Sequence, residues 1–357
     1  MSFCDSSDLQ YMRRCLQLAK CGLGSTSPNP MVGALIVHGG RVIGEGYHIR
    51  VGEPHAEVNA VRSVKECDRH LLRASTMYVT LEPCSHYGKT PPCCDMIISC
   101  GIPRVVVGVP DSNAQVNGAG ISRMRDAGIE VVVGVLEDEC RRLNGHFFAS
   151  HCKFRPYVTL KWAQSADGYI DTVRNGGTPA RISTPLSRLA VHKIRASHDA
   201  ILVGTRTALL DDPSLDVRYW TGRSPLRLVL DRSGMLPRTL RMFDGSAPTV
   251  VYTASEKVGF YGKNVEQVVL DFNTDIIPQI LHHLHSRKIN SLLVEGGALL
   301  LQSFIDSCLW DAARVEVNPF LTLVSGIKAP RLAECMKPVK EMLDDNEILL
   351  YTPNNRE

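Results

Sequence analysis

Apolar positions in the first half of the chain change period several times. Leu9, Met12, Leu16 and Ala19 recur at three- and four-residue steps, which gives one apolar face to a helix that Asp8 caps and Gly22 and Gly24 end. Residues 31–37 are a continuous apolar run, and Gly39-Gly40 turns it into a second strand over 41–47. A short helix is expected from about His55. The pattern then alternates: strand 77–82, helix from Pro91, strand 105–109, helix near 121–127, strand 131–135. Strands alternating with helices predict a layered α/β sheet.

A boundary is expected near 151–156, after which the pattern begins again. Strand 157–162 precedes helix 185–196 and strand 200–204. Strands 226–231, 249–252 and 267–270 follow, then helix 277–286, strand 291–295, helix 299–307 and strand 315–317. The polar stretch 205–213 reads as loop-forming. The second half is also α/β, with no internal repeat.

Composition narrows the class. At 357 residues, two domains are expected, 1–150 and 155–357. Hydrophobic residues at 44% and charged residues at 22% are globular values. Forty basic against 37 acidic side chains make no basic field, so charge gives a nucleic-acid substrate no support. The first residues carry no basic start and no apolar run, and no stretch is apolar enough for a membrane span. A cytoplasmic protein is expected, in which the 12 cysteines are thiols or metal ligands rather than disulfides.

One group of residues carries chemistry. His55-Ala56-Glu57 opens a helix after Pro54, Leu81-Glu82-Pro83-Cys84 closes an apolar strand, and Pro91-Pro92-Cys93 opens the next helix. Helix starts and strand ends meet at one edge of an α/β sheet, and a helix N-terminus favours the thiolate a metal needs. One histidine and two thiolates leave the fourth place of tetrahedral zinc to water, as in a catalytic site. Taken singly, these pieces read as a helix cap and buried cysteines. His-x-Glu followed by Pro-Cys and a later Cys is the signature of zinc-dependent base deaminases, in which the Glu moves protons and binds no zinc. Cys94 adjoins Cys93, and spacing alone does not choose between them. His282, His283 and His285 also invite a metal reading, but no cysteine or carboxylate completes a set beside them, and a solvated helix face is expected.

The segments 28–33, 44–48, 55–58 and 80–93, the last including the long insertion between the two cysteines, closely resemble the bifunctional deaminase–reductase family of riboflavin biosynthesis. The resemblance runs over essentially the whole chain. It implies a cytidine-deaminase-like three-layer N-terminal domain and a dihydrofolate-reductase-like α/β C-terminal domain. It implies deamination of a diaminopyrimidinone bearing a ribosylamino 5'-phosphate, then NADPH reduction of ribosyl to ribityl. It selects Cys93, so that His55, Cys84 and Cys93 hold Zn2+ and Glu57 is catalytic. It places Asn29, His48 and Lys89 against the pyrimidine or its phosphate. It assigns NADPH to Ala163, Thr207, Asp211, Gly297, Ala298, Leu299, Leu300, Leu301, Gln302 and Ser303. It assigns the substrate to Lys161, Arg195, Leu215, Arg218 and Glu295, and implies that like chains assemble.

The second half also departs from that family. Pro179-Ala180-Arg181-Ile182 stands where a Ser-x-Trp-Ile segment is usual, Arg232 replaces a serine, and 318–322 strays. The lost tryptophan removes apolar packing, while the two arginines add donors for the 2'-phosphate of NADPH if either reaches it. Three functions compete: a two-step enzyme, a deaminase whose second half has lost its chemistry, and a nucleic-acid-editing deaminase. The third requires strongly salt-dependent binding of single strands.

Overall fold

Ser6–Lys20 forms α1, which buries Met12, Cys15, Leu16 and Ala19. β1 (Gly33–His38) and β2 (Arg41–Tyr47) follow as a hairpin, then α2 (Ala56–Ser63), β3 (Thr76–Leu81), α3 (Cys93–Cys100), β4 (Arg104–Val109), α4 (Ala119–Asp126), β5 (Glu130–Val133), α5 (Glu137–Leu143) and α6 (Gly145–Cys152). The computed structural model describes residues 6–87, 91–111, 118–174, 178–256 and 261–353. It divides into two units between Phe154 and Arg155.

The first unit's sheet runs β2-β1-β3-β4-β5. β1 pairs antiparallel with β2 and β3, and β4 is parallel to β3 and β5. The register fixes the layers. A Cβ on Gly33 would fall 2.0 Å from the Cys15 carbonyl of α1, and one on Gly46 would fall 2.4 Å from the Ala60 amide of α2. Gly46 pairs with Ala34, the neighbour of Gly33. Successive strand residues point to opposite faces, so α1 and α2 cover opposite faces and the unit is a three-layer sandwich. Asn144 clasps the lead-in to β1 by bonding both the N–H and C=O of Met31, each at 2.8 Å.

The second unit contains β6 (Tyr157–Ser165), β7 (Tyr169–Asp171), α7 (Pro185–Ala196), β8 (Ala200–Val203), α8 (Thr205–Asp211), β9 (Leu226–Leu230), β10 (Thr249–Thr253), β11 (Val265–Val269), α9 (Ile276–Ser286), β12 (Ser291–Gly296), α10 (Ala298–Asp306), β13 (Ala312–Asn318), β14 (Ile327–Lys328), β15 (Val339–Leu343) and β16 (Asn346–Tyr351). Its main sheet runs β11-β10-β9-β8-β12-β6-β13-β16-β15. It is parallel from β11 to β13 and antiparallel beyond. Alternate residues of β8 enter different cores: Ala200 and Leu202 one, Ile201 and Val203 the other. Burial on both faces explains why β8, β10 and β12 read as largely apolar runs.

Of the segment expected to be a loop at 205–213, residues Thr205–Asp211 are helical, as α8. Ala208 is its buried residue, so the helix shows no apolar stripe in sequence. The strands β15 and β16, the short β7 and β14, and the helices α5 and α6 were also beyond the apolar pattern. No described helix is long and apolar enough to cross a membrane.

Candidate functional site

Three element ends of the first unit converge. His55 is the N-cap of α2, Cys84 lies three residues past β3, and Cys93 is the first residue of α3 behind Pro92. His55 Nδ1 lies 3.6 Å from Cys84 Sγ and 3.4 Å from Cys93 Sγ. All three donor atoms fall within 4.8 Å of one another, and this is the one such metal-ligand group among the described residues. Tetrahedral zinc, with bonds of about 2.3 Å to sulfur and about 2.1 Å to nitrogen, requires N···S separations of about 3.5 Å. Cys94 is turned away, its thiol directed to Asp95 at 3.6 Å.

The protons of the trio are unevenly shared. A hydrogen bond from Cys93 and the proximity of His55 bring the Cys84 thiol down to about 4. The bond to Cys84 raises His55 to about 9, and the same Cys84 sulfur with burial raises Cys93. The Cys93 N–H also donates to Cys84 Sγ at 3.3 Å. A site that stabilises thiolate and draws protons to balance it lacks positive charge, and a divalent cation that displaces those protons fits it.

Glu57, the second residue of α2, is 3% exposed, and burial pushes its carboxyl above the usual range while His55 pulls it back. His48 packs edge-on against His55, ring centroids 5.5 Å apart. Asn29 Nδ2 donates to His48 Nε2 at 3.1 Å, and His48 Nδ1 donates to the Pro54 carbonyl at 3.1 Å. Both ring nitrogens are thus engaged in the neutral form, and burial lowers the pKa of His48. Lys89 lies outside the described residues.

In the second unit a cavity of about 1090 Å³ opens along the carboxyl ends of β6, β8, β9 and β12, where open α/β sheets place their ligands. It exceeds the usual single-ligand range of about 300–1,000 Å³. Ala163, Thr207, Asp211, Gly297 and Ser303 line it, as do Ala298, Leu299, Leu300 and Leu301. Thr207 Oγ1 accepts the Gly297 N–H at 2.9 Å and so fastens α8 to the Gly296-Gly297 turn ahead of α10. Gln302 is not on the wall; its amide bonds Asp306 and the Arg331 carbonyl.

Of the expected substrate residues, Lys161 and Glu295 line the cavity, and Arg195, Leu215 and Arg218 do not. Arg195 spends its fork on Glu295, with Nε–Oε1 3.0 Å and Nη2–Oε2 2.6 Å, and also bonds the Asp216 carbonyl. Arg218 pairs with Asp216. Lys161 is half-buried, and desolvation lowers its pKa, while Glu295 and Glu316 oppose that shift. Arg181 is on the wall, and the Arg232 guanidinium lies 5.7 Å from the ring centre of Phe272, itself a wall residue. His283 is bonded to the Tyr252 hydroxyl at 3.0 Å.

Sequence reasoning missed two residues. Arg174 bridges Asp171 at 2.5 Å and Asp211 at 2.6 Å across the cavity wall, and Glu82 gathers backbone amides behind Cys84. No motif marks Arg174; Glu82 lies inside the Leu81-Glu82-Pro83-Cys84 segment, where the pattern assigns it no role, although a glutamate ending an apolar strand is a buried-charge signal.

Comparison with known proteins bears on both units. The family described as cytidine and deoxycytidylate deaminase zinc-binding region matches residues 5–109, and the RibD C-terminal domain matches 156–337. The chain is 42% identical over 318 residues to the riboflavin biosynthesis protein RibD of Aquifex aeolicus, covering 87% of each chain. It is 39% identical over 337 residues to that of Actinobacillus pleuropneumoniae, covering 92% of this chain and 88% of the relative. The crystal structure of a diaminohydroxyphosphoribosylaminopyrimidine deaminase/5-amino-6-(5-phosphoribosylamino)uracil reductase from Thermotoga maritima superposes with a TM-score of 0.89 at 38% identity, over 97% of this chain and 99% of that one. With a zinc-ligand trio in one unit and a nucleotide-sized cavity in the other, this chain belongs to the RibD family of riboflavin-biosynthesis deaminase–reductases.

Proposed function

We propose that the unit expected over 1–150 deaminates 2,5-diamino-6-ribosylaminopyrimidinone 5'-phosphate and that the unit expected over 155–357 reduces the product's ribosyl group to ribityl with NADPH. The observation that carries the first step is the trio His55, Cys84 and Cys93 at tetrahedral spacing beside buried Glu57. Zinc held there supplies Lewis acidity and lowers the pKa of water to about 7. Glu57 takes the proton of the attacking water and delivers it to the departing amino nitrogen, which leaves as ammonia. Its burial supports that role, because burial raises the carboxyl above its usual range and so makes it a stronger base for the water proton. Asn29 and His48 supply a fixed polar wall for the pyrimidine.

For the second step, the Thr207-anchored glycine turn and the start of α10 receive the cofactor's phosphates, with Ala163 and Asp211 completing the wall. NADPH supplies the hydride. Lys161 and Glu295 face the reacting sugar, and Arg195 holds the Glu295 carboxylate in place. Arg195, Leu215 and Arg218 serve the substrate from behind this wall. The unpaired thiols a zinc trio needs suit a reducing, cytoplasmic setting.

The test is product identification. The diaminopyrimidine phosphate alone should yield the deaminated ribosylamino compound, and addition of NADPH should carry it to the ribitylamino compound. An active deaminase that leaves NADPH unoxidised at saturation would overturn the two-step reading and favour a second half without chemistry.

A further inference from the structure

Glu82 follows β3, and its N–H still pairs with the Val109 carbonyl of β4 at 3.0 Å. It is 3% exposed, and among the described residues no basic side chain hydrogen-bonds to its carboxylate. Among the described residues, four backbone amides surround the carboxylate instead. Oε2 accepts from Asp111 at 3.1 Å and Gly118 at 3.0 Å, and Oε1 accepts from Gly120 at 3.0 Å and Ile121 at 3.1 Å. Gly120 and Ile121 belong to the first turn of α4, so the negative charge faces that helix's positive end. Bonds to an ionised acceptor are about twice as strong as neutral ones.

The contact continues along the chain toward the metal ligand. A Cβ on Gly120 would fall 2.2 Å from the Pro83 carbonyl, so the bare backbone of α4 rests directly on Pro83. The proline ring fixes φ, which leaves little freedom between Glu82 and Cys84. On its other side Cys84 is held by α3, with Cys94 N–H on its carbonyl at 3.2 Å and Cys93 N–H on its sulfur at 3.3 Å. We propose that Glu82 is a positioning residue of the zinc site: through Pro83 it ties Cys84 to the start of α4 and sets the Cys84 sulfur opposite His55 and Cys93. The proposal rests on the zinc assignment made above.

Two variants of the full chain test it. In Glu82→Gln one acceptor oxygen becomes an NH2 group facing two amide donors, so two of the four bonds are lost. Gly120→Ala leaves the carboxylate intact and displaces Pro83 sterically. Zinc affinity is measured by competition with a chelator, and ligand geometry by the thiolate–cobalt absorption of the Co2+ form. Both variants should hold zinc about 10–100-fold more weakly, the range for groups that orient metal ligands, with an altered cobalt band and unchanged far-ultraviolet circular dichroism. Unchanged zinc affinity together with a lower melting temperature would assign Glu82 a purely structural role and overturn the proposal. Should Glu82→Gln not fold, Gly120→Ala alone decides. Failure of the zinc assignment looks different: the wild-type protein itself would bind no zinc, and the proposal would fall with it.

Discussion

Glu57→Gln isolates proton transfer from metal binding. Glutamine keeps the size and position of a side chain that is 3% exposed, so His55, Cys84 and Cys93 should still take zinc. What is lost is the ability to carry a proton, which the mechanism asks for twice. General acid–base catalysis contributes about 10²–10⁴-fold, or about 2.7–5.4 kcal/mol of barrier. The surroundings place the loss in the upper half of that range. The trio's own groups serve as ligands, and His48 has both ring nitrogens bonded, to Asn29 and to the Pro54 carbonyl. Neither can substitute. The assay is ammonia release from the diaminopyrimidine phosphate, with zinc content measured on the same sample. Reduction of already deaminated substrate should be unchanged, because the described residues lining the second cavity all belong to the other unit. Deamination within tenfold of wild type in fully zinc-loaded Glu57→Gln would refute the assignment.

Three further outcomes are expected. Metal analysis should find zinc lost in Cys84→Ala and kept in Cys94→Ala, whose thiol faces Asp95; full zinc in the first variant would refute the ligand set. Thr207→Val removes the acceptor for the Gly297 N–H, and a lost hydrogen bond of about 0.5–1.5 kcal/mol should weaken NADPH binding by about 2–13-fold in titration calorimetry, an unchanged affinity counting against the turn. The reductase should prefer NADPH to NADH, and Arg181→Ala or Arg232→Ala should erase that preference if its guanidinium meets the 2'-phosphate; retention of the full preference in both would remove these arginines from cofactor selection.

The sequence made the elements with an apolar period legible and hid those without one. α1 announced itself through Met12, Leu16 and Ala19, and all three are buried. α8 buries Ala208 and exposes Leu209 and Leu210, so seven helical residues looked like a loop. β15 is an edge strand with four exposed residues out of five, and a strand buried on neither face leaves no alternation to read. At the zinc site the motif named the residue types. Choosing Cys93 over Cys94 needed the resemblance, since neighbours on a helix differ by about 100° in direction, and only the backbone shows that Cys93 faces His55.

The same limit explains the second cavity. The Gly296-Gly297 turn was visible because glycines between an apolar strand and a helix have a local meaning. The Thr207 hydroxyl that secures it comes from 90 residues away. Arg195 and Glu295, 100 residues apart, each read as a group for the substrate. Individually each reads as a free charge; folded, they pair, because β12 puts Glu295 on the cavity wall and the end of α7 puts Arg195 behind it. Polar pairs of this kind follow no period, and topology alone decides whether two charges face a ligand or each other. Arg195 acts in this structure on the Glu295 carboxylate, and any hold on the substrate's phosphate requires that fork to be shared.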